Sequence, residues 1–235
     1  MIKLITITWS YEDSYDIQNT FLYKSFIKNN PLSNLVHIHY NRNNYSELEN
    51  EFKDKYGFQY EYLLYKIFLT KDRITDIESD YLIFSDISDV VCLGDINTIE
   101  LPASILMSSE INQYPSSMGD WGGLEYSSDE RSNKNFLNSG LYIASKQNYI
   151  ALLNSVVNNI FPKNLKSFGG DQGIFIYHYL SKHQPEIILD KENKLFFSTF
   201  SRDHNDFLNY NFPMFIHDNG WDWGSPRFIE KFKLI

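Results

Sequence analysis

The sequence predicts an α/β fold in which a mostly parallel central sheet is flanked by helices. Short apolar runs typical of buried strands alternate with segments whose apolar residues recur at helical spacing. Such an alternation of strands and helices indicates parallel strands joined by crossover helices. The 235 residues and 43% hydrophobic content favour a single domain over residues 1–235, because no flexible linker, proline-rich run or repeat divides the chain.

The N-terminal half contains the most regular succession of elements. The predicted strands are 3–8, 35–40 and 81–85, and the predicted helices are 17–28, 45–56 and 60–70. The last of these helices has an apolar stripe at helical spacing, formed by Leu63, Leu64, Ile67 and Phe68. The order strand, helix, strand, helix, strand indicates a doubly wound parallel sheet in this half of the chain.

The C-terminal half has shorter elements and a long polar segment. The predicted strands are 103–109, 141–145, 186–189, 195–197 and 214–216, and the predicted helices are 147–160 and 171–180, with a closing helix or extended segment at 226–235. Residues 110–134 are rich in Asn, Pro, Ser and Gly and predict a long loop. Loops of this length inside a compact domain are usually functional or disordered.

Two aspartates follow directly after the predicted strand 81–85. Asp86 and Asp89 therefore lie at the carboxyl end of a buried strand, where open α/β sheets bind their ligands. Two carboxylates three residues apart repel each other unless a cation lies between them, and hard divalent cations prefer carboxylate oxygens. The pattern predicts a metal site; the alternative is a polar turn in which one of the aspartates caps the next segment.

A histidine occupies the corresponding position after the predicted strand 214–216. His217 is followed by an Asn-Gly turn at Asn219 and Gly220, then by tryptophans and carboxylates that suit a binding loop better than a core. If this strand end shares a rim with Asp86, His217 completes a shell of oxygen and nitrogen ligands. Such a shell suits Mn²⁺, or Mg²⁺ if more oxygens join. The alternative is a structural histidine.

Further polar motifs have both a structural and a functional interpretation. Asn138, Ser139 and Gly140 precede a predicted strand and form either an ordinary turn or a loop that reaches a polar ligand. Asp171 is the first residue of a predicted helix. It is either the N-cap of this helix or an acceptor for sugar hydroxyls. Trp121, between glycines, is interpreted as a ligand contact. Five histidines show no ligand spacing and are interpreted as structural or surface residues: His37, His39, His178, His183 and His204.

Charge and cysteine content restrict the partners and the setting. The net charge of −9 argues against nucleic acid or an anionic membrane as a partner. No apolar run approaches membrane-spanning length, and the first apolar residues are too few for a signal-peptide core. Cys92 is the only cysteine, so no intramolecular disulfide forms. A reducing cytoplasm is the expected setting, the host cell cytoplasm if the protein is viral.

In their order along the chain, these motifs resemble the glycosyltransferase domain of the procollagen lysyl hydroxylases and, more widely, the collagen-type glycosyltransferases. The resemblance is carried by residues 84–90, 120–122, 136–140, 171–172, 188–190, 195–196 and 217–220. It covers nearly the whole chain, whereas the hydroxylase domains have no counterpart. It implies a single-domain GT-A (Rossmann-like) fold, a UDP-sugar donor, Mn²⁺, and retention at the anomeric carbon.

The resemblance also implies roles for individual residues. Asp86 and Asp89 match the Asp-x-x-Asp metal motif, and His217 matches the histidine that completes the metal shell. The expected donor-binding residues are Thr6 and Thr8 at the uridine, Asp86 and Ser88 in the metal motif, Ser139 and Gly140, and Asn219 and Gly220 around the diphosphate. The expected catalytic residues are Asp171 and Asn138 beside the sugar and acceptor, and Trp121 and Asp120 in the family's active-site loop.

The chain departs from the family's motifs at three places. Ser88 stands where the family has a tyrosine, and Asp171 alone remains of a run of aspartates. The segment 221–223 reads Trp-Asp-Trp where the family has Pro-Thr-Lys, so the lysine that would neutralise the leaving diphosphate is missing. Arg227 and Lys231 are candidate substitutes.

The leading hypothesis is a Mn²⁺-dependent retaining glycosyltransferase that moves glucose from UDP-glucose, or a close relative, to a hydroxyl acceptor. The resemblance suggests a hydroxylysine-linked galactose on a collagen-like protein as the acceptor, and a homodimer is one expected assembly. The alternatives are a UDP-sugar or glycan binding module with little turnover and, less favoured because no second metal cluster is visible, a metal phosphohydrolase.

Overall fold

A six-stranded sheet forms the centre of the structure, a computed structural model that describes residues 1–56, 61–113, 124–160, 170–199 and 213–219. Its strands are β1 (Ile2–Ser10), β2 (Leu35–Asn41), β3 (Tyr81–Ser85), β5 (Ile105–Glu110), β6 (Phe136–Ser145) and β7 (Ile187–Asp190). A smaller three-stranded sheet contains β4 (Val90–Cys92), β8 (Phe196–Ser198) and β9 (Phe215–His217).

The large sheet is mostly parallel, as the sequence predicts. Its strand order is β2-β1-β3-β6-β5-β7. Strand β1 pairs in parallel with β2 and β3, and β5 pairs in parallel with β7. Strand β6 runs antiparallel to both of its neighbours, β3 and β5. The carboxyl ends of five strands therefore share one edge of the sheet, while β6 begins at that edge.

The small sheet connects the two predicted metal-site segments. Strand β4 follows the acidic turn after β3, and it pairs antiparallel with β9, so that Val90 lies opposite His217. The Asp218 backbone N–H also donates to the Asp89 carbonyl at 2.7 Å. This pairing sets His217 beside the aspartates that precede β4.

Helices cover both faces of the large sheet. They are α1 (Phe21–Asn29), α2 (Ser46–Tyr56), α3 (Thr70–Ile74), α4 (Ser128–Ser132), α5 (Lys146–Ser155) and α6 (Gly170–Leu180). Wide π-helical turns at Tyr62–Leu69 lead into α3, and others at Val156–Ile160 extend α5. Such turns are rare and frequently occur at functional sites. Among the described residues, no helix is long and apolar enough to cross a membrane.

The core is divided between the two faces because side chains alternate along each strand. On β1, Ile5 and Ile7 face one buried cluster, to which α2, α5 and α6 contribute. Ile2 and Leu4 face the other cluster, which α1 covers with fully buried Phe26. Truncating a buried phenylalanine of this kind to alanine typically costs about 3–5 kcal/mol.

The structure corrects the predicted start of β6. The sequence predicts a strand at 141–145 preceded by a polar loop, but the strand begins at Phe136, so Asn138, Ser139 and Gly140 lie inside it. All three are buried between β3 and β5. Polar residues are tolerated at these buried positions because their side chains and backbone make hydrogen bonds within a polar cavity.

The predicted loop 110–134 is also partly regular. Glu110 is the last residue of β5 rather than the first of the loop. Helix α4 forms within the segment because Ser127 and Glu130 make a capping box, in which each side chain accepts from the other residue's backbone N–H. Residues 114–123 lie outside the described part of the chain.

Candidate functional site

Three potential metal ligands converge at the carboxyl end of β3. Asp86 follows β3, Asp89 precedes β4, and His217 ends β9. One ligand atom from each lies within 4.8 Å of the others. His217 Nε2 is 3.7 Å from Asp86 Oδ2 and 3.6 Å from Asp89 Oδ2. Two carboxylates and one imidazole around a common point suit a divalent cation such as Mn²⁺.

Gly140 on β6 provides the space that the imidazole occupies. A Cβ atom at this position would lie 2.1 Å from His217 Cε1, 2.7 Å from His217 Nδ1 and 2.8 Å from Asp86 Oδ2. The Gly140 carbonyl also accepts a hydrogen bond from the Asp86 backbone N–H at 2.9 Å. Any side chain at this position would therefore displace His217, a potential metal ligand, while the predicted contact of Gly140 with the donor stays a prediction.

Two members of the triad, defined here as Asp86, Asp89 and His217, have raised pKa values. Burial lowers the pKa of His217, but the charges of Asp89 and Asp86 outweigh burial and raise it above the usual value. Burial raises the pKa of Asp86, against the opposing charge of Lys66. Because ligands must be deprotonated to bind a metal, a cation would displace protons from this site.

We expect the Mn²⁺ affinity to increase with pH. Below the raised pKa of His217 the imidazolium competes with the cation, and protonation of Asp86 adds to this at lower pH. The affinity should therefore increase as the pH rises through the raised pKa of His217 and level off above it. Calorimetric titration at several pH values, in buffers of different ionisation heat, would measure both affinity and released protons. Binding that is independent of pH and releases no protons would contradict a triad of titrating ligands.

A polar cavity of about 310 Å³ adjoins the triad. Its described lining consists of Tyr62, Lys66, Asp86, Asp89, Glu110, Asn138, Ser139, Gly140, Gly170, Asp171, Gln172, His217 and Asn219. Its volume lies near the lower end of the range for ligand pockets, roughly 300–1,000 Å³. Most of the lining side chains are donors or acceptors, so the cavity suits a small polyhydroxy ligand.

Lys66 connects the triad to the opposite side of the cavity. Its Nζ donates to Asp86 Oδ1 at 2.6 Å and to Asp171 Oδ2 at 3.3 Å. Asp171 also accepts from Ser139 Oγ at 3.2 Å. Burial alone would lower the pKa of Lys66, but the charges of Asp171 and Asp86 reverse this and raise it. The cavity therefore contains a permanent ammonium group between two carboxylates.

Glu110 forms the back of the cavity and is held by three side-chain amides. Its Oε2 accepts from Asn138 Nδ2 at 3.0 Å and from Asn219 Nδ2 at 3.3 Å, and its Oε1 accepts from Gln172 Nε2 at 2.7 Å. Burial raises the pKa of Glu110 to about 7, although the hydrogen bonds from Asn138 and Gln172 oppose this shift. Asn138 also contacts the triad, since its Oδ1 lies 3.0 Å from His217 Nδ1.

The structure brings most of the predicted site residues together. Eight of them line the cavity: Asp86, Asp89, Asn138, Ser139, Gly140, Asp171, His217 and Asn219. Helix α6 begins at Gly170, so Asp171 is its second residue and not its N-cap, and its side chain bonds to Lys66 and Ser139. Asp120, Trp121 and Gly220 lie outside the described residues.

The predicted uridine contacts lie elsewhere. Thr6 and Thr8 are buried on β1 and are not among the described residues that line the cavity. Thr8 Oγ1 lies 2.7 Å from His37 Nε2 and 2.9 Å from His39 Nδ1, so these histidines, interpreted from sequence as structural or surface residues, share one hydroxyl. Ser88 is exposed in the acidic turn, where its hydroxyl donates to Asp89 at 3.4 Å. Their roles in donor binding stay predictions.

Three residues that line the cavity are not predicted as site residues from the sequence: Lys66, Glu110 and Gln172. The only sequence signal for Lys66 is its charge within an otherwise mostly apolar segment. In the structure this segment forms the π-helical turns, and Lys66 is one of five consecutive buried residues there. The sequence predicts a loop at Glu110, whereas in the structure this residue ends a buried strand. Gln172 follows Asp171 in a quoted motif, and its position on α6 places its amide on Glu110.

A larger cavity of about 1,040 Å³ lies away from the triad. Apolar residues such as Leu101, Ile188 and Met214 contribute much of its wall. It holds none of the three potential metal ligands, so the smaller polar cavity is the better candidate for chemistry.

The sheet topology corresponds to the GT-A class of α/β fold. Solved structures with the same fold include mouse xyloside xylosyltransferase 1 in its apo form, at a TM-score of 0.50 and 11% identity, covering 92% of this chain and 97% of that chain. A glycosyltransferase involved in the glycosylation of the major capsid of PBCV-1 matches at a TM-score of 0.50 and 12% identity, covering 94% of both chains.

These similarities establish the fold and no closer relationship. No protein-family model matches the chain, and no curated protein matches it in sequence. The predicted GT-A fold is confirmed, whereas the specific resemblance to the procollagen lysyl hydroxylases stays a prediction.

Proposed function

We propose that this chain is a Mn²⁺-dependent retaining glycosyltransferase that moves glucose from UDP-glucose to a hydroxyl acceptor. The observation that carries the proposal is the triad of Asp86, Asp89 and His217 beside a polar cavity, in a fold shared with glycosyltransferases. The oxygen and nitrogen donors favour Mn²⁺, and Mg²⁺ is the second choice.

The triad accounts for the leaving-group side of the reaction. When bound there, a divalent cation supplies Lewis-acid stabilisation to the departing UDP. The chain's own contribution is to hold Asp86, Asp89 and His217 around one point, with Gly140 leaving room for the imidazole. Preorganised charge of this kind is usually the largest single contribution to catalysis.

The residues on the opposite side of the cavity would bind the sugar of the donor. Lys66 and Ser139 present donors, and Asp171 presents acceptors, in a combination that matches neighbouring sugar hydroxyls. Asp171 is also the carboxylate we assign to steadying positive charge on the sugar ring as the bond to UDP breaks. Asn138 also lines the cavity, where we assign it to the sugar or the acceptor.

Replacing Lys66 with methionine is expected to separate metal binding from transfer. Loss of the ammonium group removes the partner of Asp86 Oδ1 and increases the negative potential at the triad, so Mn²⁺ should bind at least as tightly as in the wild type. Turnover should nevertheless fall by about 100-fold, because a donor to the sugar and the partner of Asp171 are lost.

The matched control for this change is Lys71→Met. Lys71 lies in the next helix, 3.8 Å from Asp72 and not among the described residues of the cavity. Lys71→Met should leave both the Mn²⁺ affinity and the turnover unchanged. Calorimetric Mn²⁺ titration and UDP release would be recorded for both variants; wild-type turnover in Lys66→Met would remove Lys66 from the proposed sugar site.

A collagen-like acceptor bearing hydroxylysine-linked galactose is the most specific part of the proposal. The order of the sequence motifs supports it, and the cavity chemistry requires only a hydroxyl acceptor. Transfer to a galactosylated collagen peptide, compared with the same peptide without galactose, tests it. Equal UDP release with and without either peptide would contradict a collagen-type acceptor.

A binding module with little turnover is the second candidate. The observation that favours it is the Trp-Asp-Trp sequence at 221–223, where the resemblance would place a lysine beside the leaving diphosphate. Tight Mn²⁺-dependent binding of UDP, without UDP release from any UDP-sugar in the presence of acceptors, would favour this candidate over the transferase.

A further inference from the structure

The burial and the hydrogen bonds of Glu110 are not explained by the proposed reaction. Its side chain is buried at the end of β5, and it is not one of the three potential metal ligands. Its carboxylate nevertheless accepts hydrogen bonds from the amides of Asn138, Gln172 and Asn219. Burying a carboxylate costs free energy unless its oxygens accept hydrogen bonds. The three amide donors offset this cost, and together they fix the position of the Glu110 side chain.

The Asn138 amide can adopt only one orientation between its neighbours. The Gly140 backbone N–H, which can only donate, lies 3.0 Å from Asn138 Oδ1. At the other end, the Glu110 carboxylate accepts from Asn138 Nδ2 at 3.0 Å. A flipped amide would set donor against donor at Gly140 and acceptor against acceptor at an ionised Glu110, so both contacts select the same orientation.

This orientation determines which nitrogen of His217 carries a proton. Asn138 Oδ1 lies 3.0 Å from His217 Nδ1 and offers only lone pairs, so these two atoms form a hydrogen bond only when Nδ1 carries the proton. The other ring nitrogen, Nε2, is the one that faces Asp86 and Asp89 at 3.7 and 3.6 Å. In the neutral ring, Nε2 therefore has the lone pair that a cation requires.

We infer that Glu110 and Asn138 are positioning residues, which through successive hydrogen bonds hold the Nδ1–H tautomer of His217 and direct its Nε2 lone pair to the metal. The inference deepens the proposed function, because it rests on the same metal site. Outer partners of a metal-bound histidine fix its tautomer and orientation, and their loss typically costs about 10–100-fold in metal affinity.

The first test is the tautomer of His217 in the metal-free protein. Long-range ¹H–¹⁵N correlation spectra at alkaline pH, where the imidazole is neutral, distinguish the two tautomers directly. We expect Nδ1–H in the wild type. In Glu110→Gln, the introduced NH₂ group can face the Asn138 amide, which leaves the Gly140 N–H as the one remaining contact that selects its orientation, so we expect a mixture of tautomers.

The second test measures the affinity for Mn²⁺ alone. Glu110→Gln should bind Mn²⁺ about 10–100-fold more weakly than the wild type. The double variant Glu110→Gln/Asn138→Asp reverses the hydrogen bond between residues 110 and 138, because the introduced glutamine amide donates to the introduced carboxylate. That carboxylate can still accept from the Gly140 N–H and from His217 Nδ1. The double variant keeps the net charge and should recover most of the lost affinity, because the introduced carboxylate can only accept from His217 Nδ1.

A matched control is Glu130→Gln, which makes the same change at another buried carboxylate. Glu130 closes the capping box of α4, where glutamine also fits, and is not among the described residues of the cavity. Glu130→Gln should bind Mn²⁺ as the wild type does, which would show that the loss in Glu110→Gln is specific to the relay, the chain of hydrogen bonds from Glu110 through Asn138 to His217.

The outcomes separate this inference from the proposed function. An Nε2–H tautomer in the wild type, wild-type affinity in Glu110→Gln, or no recovery in the double variant would overturn the relay. Failure of the wild type to bind Mn²⁺ would overturn the proposed function, and the metal-free spectrum would still decide the tautomer.

Discussion

Replacing Asp89 with alanine is expected to abolish metal-dependent UDP release. The change removes one of the three ligands that lie within 4.8 Å of each other, and it removes a charge that holds His217 in place. The loss of Mn²⁺ affinity should exceed the roughly 10–100-fold typical of outer partners, because a direct ligand is lost. The turn itself should survive, since the hydrogen bond from Asp218 is to the Asp89 backbone carbonyl.

Calorimetric Mn²⁺ titration and UDP release, together with a thermal unfolding curve, separate a lost ligand from a lost fold. Asp72→Ala makes the same chemical change at an exposed aspartate of α3 and should behave as the wild type in all three measurements. Folded Asp89→Ala with wild-type Mn²⁺ affinity would remove Asp89 from the metal site.

Replacing Gly140 with alanine is expected to have an effect almost as large, although it adds only one methyl group. The new Cβ would lie 2.1 Å from His217 Cε1 and 2.8 Å from Asp86 Oδ2. His217 is buried and bonded to Asn138, so it cannot move without breaking the triad. Mn²⁺ binding should be lost, and the strain should destabilise the fold by about 1–3 kcal/mol.

Gly94→Ala is the matched control for this prediction. Its Cβ would approach Met214 Sδ at 2.7 Å and Met214 Cε at 3.2 Å, the far end of a flexible side chain that can rotate away. Mn²⁺ titration and thermal unfolding of both variants would show whether the effect is specific. Undiminished Mn²⁺ binding by Gly140→Ala would mean that His217 does not act as a ligand from its position against β6.

The central features of the metal site could be predicted from sequence because strand ends are recognisable. The apolar run before Asp86 and the shorter run before His217 mark two strand ends, and ligands collect at such ends. Their convergence depends on the pairing of β4 with β9, each of which has only three residues. Elements this short have no periodicity, so the sequence could suggest a shared rim but not establish it.

Residues that depend on distant partners could not be identified in this way. Lys66 lies among buried residues of the π-helical turns, and its partners Asp86 and Asp171 are far away in sequence. Glu110 and Asn138 likewise have meaning only when β5 and β6 are paired. Helical or strand periodicity predicts which face of an element is apolar and therefore buried. A charged residue that is buried because its partner lies on another element does not follow this pattern.

UDP release from a panel of UDP-sugars is the most direct test of the central claim. Each donor would be incubated with Mn²⁺, with and without a chelator and hydroxyl acceptors, and beside Asp89→Ala. We expect release from one preferred donor, UDP-glucose; the chelator should abolish this release, and Asp89→Ala should lack it. Release that persists in the chelator and in the variant, or no Mn²⁺-dependent binding of UDP at all, would contradict the central claim.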